Sequence, residues 1–138
     1  QIKNALLKVK SQIGTFSTNP SSLLGTWETT RLSKYVDDNE MPTGEKGKVR
    51  ITFKSINSAE IRYCQTDGEV YPASAVVKVS RNRVDVIQTQ EATLPGKKAY
   101  FKKHTYSLVP DNQNKALCII ILNNIERDRC YIRKISNS

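Results

Sequence analysis

The spacing of apolar residues changes once along the chain. In the first segment Ile2, Leu6, Val9 and Ile13 recur at steps of three or four, with lysines mostly between them. This period is typical of a helix with one apolar face. We therefore predict a short N-terminal amphipathic helix over 1–14.

From Leu24 onward, apolar and polar residues alternate, and turn-forming residues recur at regular intervals. Alternation with a period of two predicts strands with one buried face. Asp67-Gly68 provides the positive-φ residues of a tight hairpin turn, and a last turn is predicted around Asn123-Asn124. The predicted strands cover about 24–32, 48–54, 58–65, 69–79, 83–90, 98–108, 115–123 and 126–135.

Eight successive strands joined mostly by short turns predict an antiparallel meander. Such a sheet removes its exposed edges by closing into a barrel, and eight strands leave room for side chains or one small ligand. A sandwich is the alternative, but its Greek-key crossings usually need longer connections. We predict a single all-β domain over 1–138, with an eight-stranded antiparallel up-and-down barrel over 22–135.

The motif Gly25-Thr26-Trp27 lies on the first predicted strand, directly after the change of period. A G-x-W motif at this place in an eight-stranded meander resembles the lipocalins and the wider calycin group. The resemblance implies that Trp27 points into the closed end of the barrel, with a basic residue of the last strand across it. Arg133 is the preferred partner, ahead of Arg129. The T-D-Y-type motif of many lipocalins is not recognisable, so the resemblance is to a divergent member.

The chain also resembles the fatty-acid-binding proteins, through Gly25-Thr26-Trp27 and the R-x-Y motif Arg129-Cys130-Tyr131. In that family the arginine and tyrosine hold a fatty-acid carboxylate, which implies an anionic ligand here. Those proteins have ten strands and a helical lid, whereas this chain has eight predicted strands. The lipocalin resemblance therefore covers more of the chain.

Strand alternation also predicts which side chains face the interior. If Trp27 points inward, Arg31 shares its face, unless a bulge turns Arg31 to solvent. Several aromatic and polar side chains fall on the same predicted face, and they suit an amphiphilic ligand unless they fill the interior. The predicted ligand-binding residues are Arg31, Phe53, Tyr63, Tyr100, His104, Tyr106, Arg129 and Tyr131. The predicted apolar walls are Val49, Ile51, Phe53, Leu117, Ile119 and Ile121.

The chain carries 22 Lys and Arg against 13 Asp and Glu, a formal net charge of +9. Such a charge attracts polyanions without identifying a partner. The alternative function is therefore an exported protein-binding or inhibitor module that uses its basic outer faces and loops. The densest basic cluster is Lys97, Lys98, Lys102 and Lys103. Few aromatic residues interleave with it, so nucleic acid is not an expected partner.

Catalysis and metal binding are not expected. His104 is the only histidine, and the three cysteines have no C-x-x-C spacing. We expect no cofactor and no transmembrane segment, since no apolar run approaches about 18 residues. One disulfide and one free thiol would suit an exported protein, periplasmic or secreted. A hairpin centred on Asn124 places Cys118 opposite Cys130; a Cys64–Cys130 bridge, as in several lipocalins, is the alternative.

Overall fold

The computed structural model describes residues 20–29, 47–65, 68–97 and 100–138. The predicted helix over 1–14 lies outside these residues. A short 3-10 helix, Pro20–Leu23, precedes the first strand. The strands are β1 (Gly25–Thr29), β2 (Gly47–Phe53), β3 (Ser58–Gln65), β4 (Val70–Val79), β5 (Val84–Gln88), β6 (Ala92–Thr93), β7 (Tyr100–Phe101), β8 (Thr105–Asn112), β9 (Lys115–Leu122) and β10 (Ile125–Ser136).

Eight of these strands close into an antiparallel barrel. Around the wall the order is β1, β2, β3, β4, β5, β8, β9 and β10, and β10 pairs again with β1. Each barrel strand is therefore hydrogen-bonded to the next barrel strand in the chain. This confirms the predicted up-and-down barrel and rules out the sandwich.

The remaining two strands, β6 and β7, form a separate two-stranded sheet, which we call the ribbon (92–93 and 100–101). It interrupts the region where one continuous strand over 98–108 was predicted. Phe101 pairs with Ala92 in the ribbon, and the chain rejoins the barrel only at Thr105. The predicted strand is thus divided, because its first part pairs locally rather than with the barrel wall.

The core lies inside the barrel and follows the alternation of the strands. In β2 the side chains of Val49, Ile51 and Phe53 are buried, while Lys48 and Arg50 are exposed. This is the pattern of a sheet with one face on the core and one in water. The inner face of β4 includes two alanines, Ala73 and Ala75, whereas Trp27, Tyr63 and Tyr106 are fully buried. The core therefore combines large and small side chains.

The two ends of the barrel are different. At the end where β1 begins, which we call the closed end, Trp27 is fully buried and its Nε1–H donates to the carbonyl of Leu23 at 2.9 Å. Nζ of Lys134 donates to the carbonyl of Ser22 at 2.8 Å and ties β10 to the same 3-10 helix. The ribbon, which follows β5 and precedes β8 in the chain, lies at the opposite end, which we call the ribbon end.

The basic residue opposite Trp27 is Lys134, not Arg133. The pairing of β1 with β10 is irregular between Thr26 and Trp27, and Trp27 is then the partner of Lys134. Arg133 is opposite Glu28 and exposed on the outer face. The prediction that Arg133 packs across the indole is therefore wrong, because inner and outer positions alternate along β10 and Ile132 takes the inner one.

Candidate ligand site inside the barrel

Four polar side chains meet inside the otherwise apolar barrel, toward the ribbon end. They are Tyr63 near the end of β3, Gln88 at the end of β5, His104 just before β8, and Tyr106 on β8. Each is at most 3% exposed. Strand alternation turns Tyr63 and Tyr106 inward together with their apolar neighbours. We call these four residues the polar cluster.

The hydroxyl of Tyr63 lies at the centre of the cluster. It donates to Oε1 of Gln88 at 2.7 Å and also contacts the hydroxyl of Tyr106. Because a phenol has one proton, Tyr106 must be the donor in the second contact. Nδ1 of His104 lies 2.7 Å from the carbonyl oxygen of Lys102. A carbonyl only accepts, so Nδ1 carries a proton.

Gln88 connects the barrel wall to the ribbon. Its Oε1 also accepts a hydrogen bond from the backbone N–H of His104 at 3.1 Å. Its Nε2 donates to the carbonyl of Gln90 at 2.8 Å and to that of Phe101 at 3.3 Å. The amide therefore satisfies backbone groups of Gln90, Phe101 and His104, and the hydrogen bonds to Phe101 and His104 are buried.

The ribbon covers the polar cluster with an aromatic ring. Phe101 stacks on Tyr63, with 4.5 Å between ring centroids and an interplanar angle of 10°. The Phe101 ring also makes a T-shaped contact with the Tyr71 ring, with 5.2 Å between centroids and an interplanar angle of 82°. Phe101 is 6% exposed, and its partner Ala92 is fully buried. The cluster thus lies in an apolar, enclosed setting, which strengthens its hydrogen bonds.

Burial sets the ionisation of the two tyrosines. It raises the pKa of Tyr63 above its ordinary value, against the lowering effect of the hydrogen bond from Tyr106. Burial, and then the neighbouring Tyr63, raise the pKa of Tyr106 well above its ordinary value. Both phenols are therefore neutral at physiological pH and keep their protons for hydrogen bonding.

We expect the raised tyrosine pKa values to make the fold sensitive to base. The unfolded chain releases these protons from about pH 10, while the folded chain retains them. Stability is therefore fully present below about pH 10 and falls as the pH rises further, by about 1.4 kcal/mol per pH unit for each tyrosine. Urea unfolding measured between neutral and alkaline pH tests this.

Other groups also titrate in that range, so the comparison between variants carries the test. Tyr63→Phe should make the alkaline loss of stability less steep. Tyr131→Phe is the matched control, since Tyr131 is 45% exposed on the outer face. Equal slopes in the wild type and in both variants would contradict the role of burial.

The structure brings three of the predicted ligand-binding residues together: Tyr63, His104 and Tyr106. Phe53 is buried as predicted, but it lies at the closed end, opposite Gly25 and Ala59. Arg31 lies outside the described residues. Tyr100 is on β7, and its side chain is likewise outside the part of the chain that the structure describes.

Arg129 and Tyr131 are not inside the barrel, so their predicted interior position is wrong. The inner residues of this part of β10 are Cys130 and Ile132. On the outer face, Nζ of Lys115 lies 4.2 Å from the centroid of the Tyr131 ring. Arg129 pairs with Glu126 at 2.8 Å. A grip of these two residues on a carboxylate inside the barrel is excluded by this orientation.

The predicted inner and outer faces of β9 are also reversed in the structure. Its buried residues are Ala116, Cys118, Ile120 and Leu122. The predicted apolar walls Leu117, Ile119 and Ile121 are partly exposed and point outward. Because β9 is apolar on both faces, its hydrophobic pattern does not reveal which set is inside.

Three residues that contribute to the two ends of the barrel were not predicted from the sequence. Gln88 is on the same face of β5 as Val84 and Val86, so alternation alone could have identified it. Lys134 likewise lies on the same face of β10 as Cys130 and Ile132. No local sequence pattern predicts the position of Phe101, because that position depends on the ribbon folding over the barrel.

The chain was compared with known proteins: no family model matches it, and no curated protein shows significant similarity to it. Within the described ranges, no helix has the length and apolar character to cross a membrane. The same residues include no group of three or more His, Cys, Asp and Glu side chains arranged to hold a metal ion. The fold and the polar cluster therefore have to support any functional assignment.

Proposed function

We propose that the protein is a divergent lipocalin-like carrier that binds a small amphiphilic molecule at the ribbon end of its barrel, without catalysis. The observation that carries the proposal is the polar cluster: two phenols, an amide and an imidazole converge within an apolar interior, beneath one aromatic ring. A concave apolar site with a few placed polar groups is typical of small-molecule binding. The barrel and the buried Trp27 at its opposite end agree with a lipocalin-like architecture.

Binding requires the ribbon to move, because the cluster is buried beneath it. The ribbon has only two residue pairs, Ala92 with Phe101 and Thr93 with Tyr100. Two-stranded sheets of this size are marginally stable alone, so the ribbon can open at lower cost than any barrel strand. Opening displaces Phe101 from Tyr63 and releases Nε2 of Gln88 from the Phe101 carbonyl. These groups then become available to a ligand.

The chemistry of the site favours an apolar body and a headgroup that accepts hydrogen bonds. Tyr106 and the amide of Gln88 supply neutral donors inside the barrel. Lys103 and Lys97 are exposed at the ribbon end. Nζ of Lys97 forms an ion pair with Glu69 at 2.7 Å. Together with the net charge of +9, these lysines attract anions toward the ribbon end. A fatty-acid-like amphiphile combines both features.

Titration with a dansyl-labelled fatty acid and with its uncharged methyl ester tests the proposal. We expect saturable binding of the acid, with weaker binding of the ester. Tyr63→Phe should weaken binding of the acid about tenfold, because losing one hydrogen bond of the Tyr63 hydroxyl in this buried site costs about 1.4 kcal/mol. Phe101→Ala should accelerate association, because it removes the stacked cover.

Tyr71→Phe is the matched control for the tyrosine variant. The hydroxyl of Tyr71 donates to Glu69 at 3.1 Å and is not part of the polar cluster. Circular dichroism establishes that each variant is folded. Absence of saturable binding, or equal loss of affinity in Tyr63→Phe and Tyr71→Phe, would refute a site at the cluster.

The outer face of β10 supports a second candidate, an exported protein-binding module. It exposes Tyr131 and Ile135 by 45% and 51%, next to Arg129 and Arg133. Exposed aromatic residues beside arginines are common where proteins bind each other. Replacing Arg129 and Arg133 by glutamate should abolish binding of an acidic protein partner and leave the fatty-acid titration unchanged.

A further inference from the structure

Cys118 and Cys130 face each other across two neighbouring strands. They are direct partners in the antiparallel pairing of β9 with β10. Both side chains point into the barrel, where Cys118 is fully buried and Cys130 is 8% exposed. Both are free thiols. The two sulfur atoms are therefore confined to the same part of the interior.

Cys64 is excluded from a bridge with either of them. It follows the inward-facing Tyr63 on β3, so its side chain points to the outer face of the barrel wall. Its thiol lies 3.9 Å from the carbonyl oxygen of Arg62 on its own strand. The barrel wall thus separates Cys64 from Cys130, and a Cys64–Cys130 bridge does not fit this fold.

The geometry of an antiparallel pair suits a bond between Cys118 and Cys130. Directly opposed residues have Cα atoms about 4.5 to 5.5 Å apart, and a disulfide requires about 4.4 to 6.8 Å. The thiols are also in hydrogen-bonding contact, and this contact is the largest cause of the raised pKa of Cys118, ahead of burial. Little backbone movement is therefore needed to join them.

We propose that Cys118 and Cys130 form a reversible disulfide inside the barrel by exchange with a low-molecular-weight disulfide. The thiolate of Cys130, the less buried of the two, attacks one sulfur of the reagent and expels the first thiolate. The thiolate of Cys118 then attacks the Cys130 sulfur of the mixed disulfide and expels the second. One protein S–S bond forms, the reagent S–S bond is reduced, and the two thiol protons pass to the two released thiolates.

The bridge acts on the last hairpin of the barrel. It closes the loop 118–130, which contains the turn at Asn123 and Asn124 and the irregular pairing between Glu126 and Asp128. Closing this loop restricts the unfolded chain and stabilises the fold. The reaction is slow, because Cys118 is buried and mostly protonated. The bridge would persist in an oxidising compartment and be lost in a reducing one.

Incubation of the native protein with oxidised glutathione tests the proposal. Remaining thiols are then alkylated after denaturation, and the products are mapped by mass spectrometry. We expect one alkylated cysteine, Cys64, and one peptide pair joined through Cys118 and Cys130. The bridged protein should melt about 5 to 10 °C higher than the reduced protein, and dithiothreitol should reverse both changes.

Two variants complete the experiment. Cys64→Ser, the matched control, should form the same bridge and leave no thiol for alkylation. Cys118→Ser should form no internal bridge and show no rise in melting temperature. Three alkylated cysteines in the oxidised wild type, a bridge that includes Cys64, or a glutathione adduct at Cys130 that never resolves would each overturn the proposal. None of these outcomes depends on ligand binding.

Discussion

Trp27→Ala is expected to lower the free energy of unfolding by about 4 kcal/mol, as is usual when a large buried aromatic residue is truncated. Trp27 is fully buried at the closed end, and its indole N–H satisfies the carbonyl of Leu23 at 2.9 Å. The alanine variant leaves a cavity and an unsatisfied acceptor at the same place. Urea unfolding followed by circular dichroism measures the loss, since the only tryptophan is removed.

Trp27→Phe separates the two contributions. It retains an aromatic ring but removes the indole N–H and part of the buried volume, so we expect a smaller loss, about 2 kcal/mol. A loss below about 1 kcal/mol in Trp27→Ala would show that the closed end is not packed around the indole. Equal losses in the two variants would assign the effect to the hydrogen bond rather than to packing.

Gly25→Ala is expected to destabilise the fold by about 3 kcal/mol or more, although it adds one methyl group. Gly25 has a φ of +123°, a conformation that side chains rarely adopt. A Cβ at this position would overlap the carbonyl oxygen of Ser136 and lie 2.9 Å from Cε of Lys134. The obstructing oxygen belongs to the backbone of β10, so β1 and β10 would have to separate where the barrel closes.

Gly68→Ala is the matched control, because it isolates the effect of backbone conformation. Gly68 also has a positive φ, +86°, but a Cβ there would meet no atom within 4 Å. We expect a loss of about 1 kcal/mol, from strain alone. Thermal or urea unfolding of both variants measures the difference. Equal losses would contradict the view that Gly25 is required for the close approach of β1 to β10.

The strand pattern was predictable wherever a strand has one polar face. In β2 the alternation of Val49, Ile51 and Phe53 with charged residues identified both the strand and its inner face. β3 has the predicted bounds, Ser58–Gln65, and its inward Tyr63 is the centre of the polar cluster. Local alternation was sufficient there, because only one assignment of faces leaves the charged residues in water.

The same reasoning failed where a strand is apolar on both faces or depends on its partner. β9 places Cys118 and Ile120 inside, and Ile119 outside, with no difference in hydrophobicity to distinguish them. Tyr131 was assigned to the interior on β10, although pairing with β9 turns it outward. The opposition of Cys118 and Cys130 was predicted correctly, but the turn alone does not produce it. The hairpin is centred between Asn123 and Asn124, and the irregular pairing between Glu126 and Asp128 then shifts the register by one residue.

By itself, the sequence determined that this protein is a closed eight-stranded barrel. Eight short alternating segments with tight turns leave two sheet edges, and pairing β1 with β10 is the simplest way to satisfy their backbone groups. Only the tertiary structure decided what lies inside. The polar cluster joins Tyr63 to Gln88 and His104 across different strands, and Phe101 reaches it by way of the ribbon. Such contacts depend on the register between strands and on the way the chain leaves the barrel wall to form the ribbon. The alternation within a single strand predicts neither.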